Sequence, residues 1–197
     1  MKKFILSLGL LAGVAGVANA QEARFGVKAG VNLASITGDN TNGIKNTVGA
    51  SVGVMADISF SDLISFHPEL LFSQKGAKQE DSGFKVDTRL NYIDLPLLLR
   101  VKADGLFFEA GPQVGFLASH KTEATYNGST IGSSSSTDGI RKVDVGYIAG
   151  VGYQLPQGLE LGLRYNGGIS DLSDPSGSSK SRNSVFQFQV GYLFGGK

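Results

Sequence analysis

The feature that most constrains this chain is an alternation of period two that recurs almost from end to end. In VGASVGVMADISF (48–60), Val48, Ala50, Val52, Val54, Ala56, Ile58 and Phe60 are apolar, and the residues between them are mostly small or polar. Successive side chains of a β-strand point to opposite faces, so this is a strand with one apolar face. The same pattern occupies RFGVKAGVNL (24–33), ISFHPELLFSQK (64–75), NYIDLPLLLRV (91–101), LFFEAGPQVGFLA (106–118), VDVGYIAGVGYQL (143–155), LELGLRYNG (159–167) and SVFQFQVGYLF (184–194). No helical period competes. The pattern predicts an all-β chain of about eight strands, each of roughly ten residues.

The connections sort by parity. Ser61-Asp62-Leu63, Lys102-Ala103-Asp104-Gly105 and Pro156-Gln157-Gly158 are short. The joins between them are long and polar: ASITGDNTNGIKNT, GAKQEDSGFKVD, SHKTEATYNGSTIGSSSSTDGIR and SDLSDPSGSSKSR. A sandwich with Greek-key crossings has no reason to sort its loops this way. A closed, antiparallel, up-and-down transmembrane β-barrel does, with short periplasmic turns and long outer loops.

Alternation alone leaves open whether the apolar face meets a protein core or lipid. The opposite face favours lipid: it is poor in long charged residues and rich in glycine, of which the chain has 28. An eight-stranded barrel has an interior only just wide enough for side chains, which gives small residues there a steric role. The apolar face also lacks the charges that guard edge strands of soluble sheets. Aromatics gather near its ends, with Phe25, Phe60, Phe66, Phe108, Tyr153 and Phe194 toward the short turns. Phe72, Phe116, Tyr165 and Phe186 lie toward the long loops, as two interfacial belts would. The competing arrangement is a soluble, ligand-holding barrel with its apolar face inward.

Composition removes other classes. A net charge of +1 gives no electrostatic case for nucleic acid. The absence of cysteine excludes a disulfide framework, a thiolate metal site and a Cys nucleophile. MKKFILSLGLLAGVAGVANA (1–20) has the basic head, apolar stretch and Ala18-Asn19-Ala20 motif of a signal peptide cleaved before Gln21. Its glycine-interrupted apolar stretch is shorter than the roughly 20 residues a membrane-anchor helix needs. Residues 21–197 are then the exported barrel domain, a monomer in the outer membrane of a Gram-negative cell.

HPELLFSQKG (67–76), NYIDLPLLLR (91–100), EAGPQVGFL (109–117), DVGYIAGVGYQL (144–155) and LELGLRYNGGISDL (159–172) resemble the recurring blocks of an outer-membrane β-barrel domain family, that of porin-family and PorT-like proteins. The resemblance runs in order over nearly all of the mature chain. It implies insertion by the barrel-assembly machinery, for which Phe194 serves as the terminal aromatic although Gly195-Gly196-Lys197 follow it. PorT-like members are linked to type IX secretion. Pro68, Pro96 and Pro112 fall inside three successive strands, where each removes a ladder donor; local bulges are the expected accommodation.

Ser65, His67 and Glu69 share a strand face and invite a hydrolase reading. Alternate residues on a strand stand about 6–7 Å apart, too far for a nucleophile–base hydrogen bond, so they are expected to fill the lumen. No metal-ligand spacing is evident, since His67 and His120 are far apart. The ionic set is stronger. Lys28, Asp57, Glu69, Arg100, Glu109, Glu160 and Arg164 all take polar-face positions, and charges in a narrow barrel demand partners. Glu69, Glu109 and Glu160 are therefore expected to pair with Arg100 and Arg164, the alternative being separate hydrated charges in a small pore. The serine-rich stretch 129–138 is expected to be a flexible surface loop that could meet an unnamed partner. The expectation is a non-enzymatic barrel without cofactor, its lumen filled by side chains. The alternatives are a small passive porin, or a membrane enzyme or secretion accessory.

Overall fold

A computed structural model describes residues 22–38, 44–137, 140–172 and 181–195. The expected signal peptide and its cleavage position at Ala18, Ala20 and Gln21 lie outside the described residues. The described elements are β1 (Glu22–Gly38), β2 (Ile44–Lys45), β3 (Thr47–Ser59), β4 (Ile64–Asp81), β5 (Phe84–Ala103), β6 (Leu106–Tyr126), β7 (Ser129–Ser134), β8 (Val143–Gln154), β9 (Leu159–Gly168) and β10 (Ser181–Leu193). All pairings are antiparallel. β4-β3-β1-β10-β9-β8-β6-β5 run side by side, and β5 pairs back to β4, so the ring closes. The short β2 and β7 merely extend it, on β4 and β6.

The alternation sets which face is which. On β10, Phe186 is 62% exposed and Phe188 49%, whereas Gln187 and Gln189 between them are 3% exposed. The apolar residues of β1, β3, β5, β8 and β9 point outward in the same phase, and the polar ones are buried in the lumen. Aromatics near the long-hairpin end touch across strands: Tyr147, Tyr165 and Phe186 form a run with centroid separations of 6.1 and 5.1 Å.

Glycine makes room for the lumen. A Cβ on Gly152 would stand 2.3 Å from the Phe107 ring, and one on Gly150 would stand 2.7 Å from Arg164 Cβ. Small residues on the inner face are thus the complement of the large ones opposite.

Three features depart from the sequence reading. The polar stretch 76–87 is not a loop: β4 and β5 continue through it to a two-residue turn at Ser82 and Gly83. The first part of the serine-rich stretch is not a loop either, because Ser129–Ser134 is strand β7, joined to β6 through Asn127-Gly128, with residues 135–137 following it without regular structure. Both turns, like Asp104-Gly105 at the opposite end, have positive φ at both residues, the geometry that suits the twist of a tight hairpin. Nor do the prolines cause bulges. Pro68 pairs with Leu97, Pro96 with Gln113 and Pro112 with Tyr147. On its other side each ladder skips rungs and resumes in unchanged register. A missing N–H affects the one neighbour it would have faced and leaves the other pairing intact. The single register shift in the β5–β6 ladder lies at Asn91/Tyr92, away from all three.

Steric complementarity gives a test. Gly152→Val forces a methyl group into the Phe107 ring and is expected to cost about 1–3 kcal/mol, read as a lower urea midpoint in detergent micelles. Gly162→Ala meets nothing closer than 3.9 Å and is expected to leave that midpoint nearly unchanged.

Candidate lumen ion network

Seven of the ring strands send charged side chains into the lumen, and the largest group meets in the half nearer the short turns. Arg100 on β5 donates to Glu109 on β6 at 2.9 Å and to Glu160 on β9 at 2.8 Å. Its guanidinium also lies over the Phe107 ring, 3.9 Å from the centroid. Arg164 on β9 crosses the barrel to Glu69 on β4, with bonds of 2.8 and 3.2 Å, and reaches Glu109 at 3.5 Å. Glu69, Arg100, Glu109, Glu160 and Arg164 are all at most 6% exposed. The structure therefore brings these five into one connected set.

Two further groups complete it. Lys28 on β1 contacts Glu69 at 2.5 Å and Glu160 at 3.4 Å. His67 stands between two carboxylates, with Nδ1 3.4 Å from Asp57 and Nε2 3.3 Å from Glu69. Asp57 also accepts from Ser65 at 2.7 Å and pairs with Lys102 and Arg24 at the turn end. Parity placed Lys28 and Asp57 on the inner face; the cross-barrel partner of each depends on closure and could not be read along a strand.

Ser65, His67 and Glu69 do not assemble as a triad. The Ser65 hydroxyl donates to Asp57, not to His67, and all three residues are buried inside the ring. His67, Glu69 and Glu109 do bring one ligand atom each within 4.8 Å of one another, a cluster that spacing in sequence gave no sign of. Their carboxylates already accept from Lys28, Arg100 and Arg164, which supply the positive charge a metal ion would bring.

Above this layer the polar contacts continue with fewer charges. Arg164 donates to Gln187 at 2.9 Å, Gln187 to Asn32 at 2.9 Å, and Asn32 to Ser73 at 3.1 Å. Nearer the long hairpins, Lys75 joins Asp94 at 3.1 Å and Asp144 at 3.4 Å, with Asn183 and Ser170 also donating to Asp144. The sequence reading missed this second cluster. Its top is an apolar layer of Leu90, Tyr92 and Leu172, with Ile36, Leu117 and Ile140 packed against it.

The profile of a family described as outer membrane protein beta-barrel domain matches residues 19–174. β10, which closes the ring against β1, lies beyond that match. No curated protein sequence matches the chain. Among solved structures, Neisserial surface protein A is similar with a TM-score of 0.52 at 18% identity, over 88% of this chain and 99% of that one. The attachment invasion locus protein Ail of Yersinia pestis is similar with a TM-score of 0.50 at 15% identity, with the same coverage. At such identities the likeness is one of fold.

Replacing Arg164 with Leu removes both charge-assisted bonds to Glu69 and leaves a buried carboxylate short of partners. A loss of about 3–5 kcal/mol is expected in denaturant unfolding from micelles. A change near zero would mean that the network does not hold the lumen together.

Proposed function

Because this chain belongs to the outer membrane protein beta-barrel domain family, we propose that it acts as a closed, non-conducting, non-enzymatic barrel. In this reading the strands are a rigid, monomeric support and the projecting hairpins do the binding or structural work. One observation carries it: the Lys28, Glu69, Arg100, Glu109, Glu160 and Arg164 network spans the lumen from wall to wall. Ions crossing the barrel would have to break several buried charge pairs at once, each costly to break singly. The apolar layer around Leu90 and Leu172 adds a second obstruction toward the long hairpins. The bonding of Ser65 to Asp57 supports the absence of hydrolase chemistry.

Gram-negative origin, export by the signal peptide and insertion by the barrel-assembly machinery belong to the same reading. A secretion-accessory role, as in PorT-like proteins, would act through the hairpins and not through the lumen.

Planar-bilayer recording tests it. Purified protein is expected to insert without unitary openings, and Arg100→Ala/Arg164→Ala protein, if it folds, to give small ones. Stable openings from the unaltered chain would replace this reading with a passive pore for small solutes.

A further inference from the structure

The outward face of β5 continues past the membrane-facing rows, and β6 follows it by changing from even to odd positions at the register shift opposite Asn91/Tyr92; what this face presents changes in a fixed order. Ile93 pairs with Phe116, Asn91 with Ser119, and Arg89 with Lys121. Asn91 donates to Ser119 at 2.8 Å, which puts that middle row on one face. Going outward, an apolar row gives way to a neutral polar row and then to two basic residues directly opposite each other. Like charges facing across a ladder are destabilising. The neighbouring acids relieve this only partly: Asp87 meets Arg89 through Nε at 3.4 Å, and Glu123 meets Lys121 at 3.1 Å. Both acids lie one row farther from the apolar surface, so the side facing the membrane is left positive. Arg89 and Lys121 keep 49% and 57% of their side chains exposed.

Height places them at a lipid headgroup. Four residues of strand span about 13 Å, and tilt reduces this to roughly 10 Å above the Ile93–Phe116 row. Long basic side chains bend back toward such a boundary. Arg182 on β10 is a single basic residue in the same position, exposed and four residues beyond Phe186, with Thr37 facing it on β1. The opposite rim differs in sign. Its turns expose Asp62 and Asp104, while Arg24 and Lys102 turn inward to Asp57. Outward-facing positive charge just beyond the apolar surface is thus a property of the long-hairpin end among the described residues.

We infer that Arg89 and Lys121 form a docking site for the phosphate of an anionic glycolipid in the outer leaflet. The acyl chains lie along the Ile93–Phe116 row and the phosphate bridges the two cations, removing their repulsion. The site is independent of whether the lumen conducts.

The test uses the mature chain folded in lipid-free micelles and titrated by native mass spectrometry with three probes. These are diphosphorylated lipid A, the same glycolipid stripped of phosphate, and inorganic phosphate alone. The phosphorylated lipid is expected to bind far more tightly than the stripped one, and inorganic phosphate is not expected to be retained. Arg89→Gln/Lys121→Gln is expected to weaken the phosphorylated lipid by about 25-fold, about fivefold for each charge. Its fold is checked by heat-modifiable gel migration. Equal affinity of the unaltered protein for the two glycolipids overturns the site, and needs no variant to fold. An unchanged affinity in the folded double variant overturns it as well. Retention of inorganic phosphate as strongly as lipid would overturn the lipid as its source.

Discussion

In hydrocarbon no water is available to satisfy a free N–H or C=O, so a sheet can cross a membrane only if its hydrogen-bonded ladder returns to its start. Here the return is made by β10 on β1 and by β5 on β4. Once the ring is closed, each strand must place alternate residues in two different solvents. The outer set faces lipid and the inner set faces whatever else the lumen contains. With eight strands that interior is about one layer of side chains across, so the inner residues pack against one another. Closure is what converts a simple alternation into an apolar exterior and a polar core.

The polar core then has to solve its own problem. Burying an unpaired charge is expensive, and in the half nearer the short turns the solution is to interleave signs across the barrel so that Glu69, Glu109 and Glu160 each meet more than one cation. Glu69 receives Lys28 from β1 and Arg164 from β9, while Glu160 receives Lys28 and Arg100. These partners come from strands far apart in sequence, so the network can form only when the ring is shut. It acts as a lock on closure, and in the function proposed above it also obstructs the lumen. Glycines at 150 and 152 are part of the same device, leaving space that Arg164, Glu109 and Phe107 occupy.

How much of this the sequence disclosed depends on whether lipid enforced the pattern. The eight strands, their phase and the short turns were legible, because hydrocarbon allows no polar residue on the outer face. Beyond the membrane that pressure ends, so the outer parts of β4, β5 and β6 lose their alternation and read as polar loops. Ser82-Gly83 and Asn127-Gly128 were the surviving signals of hairpins there, carried by backbone geometry and not by hydropathy. The ionic residues were visible as inner-face charges, but Lys75, Asp94 and Asp144 were overlooked as a set. Their meeting needs β4, β5 and β8 brought together, which no spacing along the chain encodes. The prolines misled for a related reason: a lost donor suggested a bulge, whereas the ladder simply omits rungs on one side and keeps its register.

A membrane-spanning β10 must present alternate side chains of residues 186–192 to hydrocarbon and to the lumen. The chain has no cysteine, so single cysteines carrying a spin label can be introduced one at a time along β10 in a bilayer. Oxygen accessibility is predicted to oscillate with period two, high at Phe188, Val190 and Tyr192 and low at Gln187, Gln189 and Gly191. A flat profile, or one of opposite phase, would contradict it.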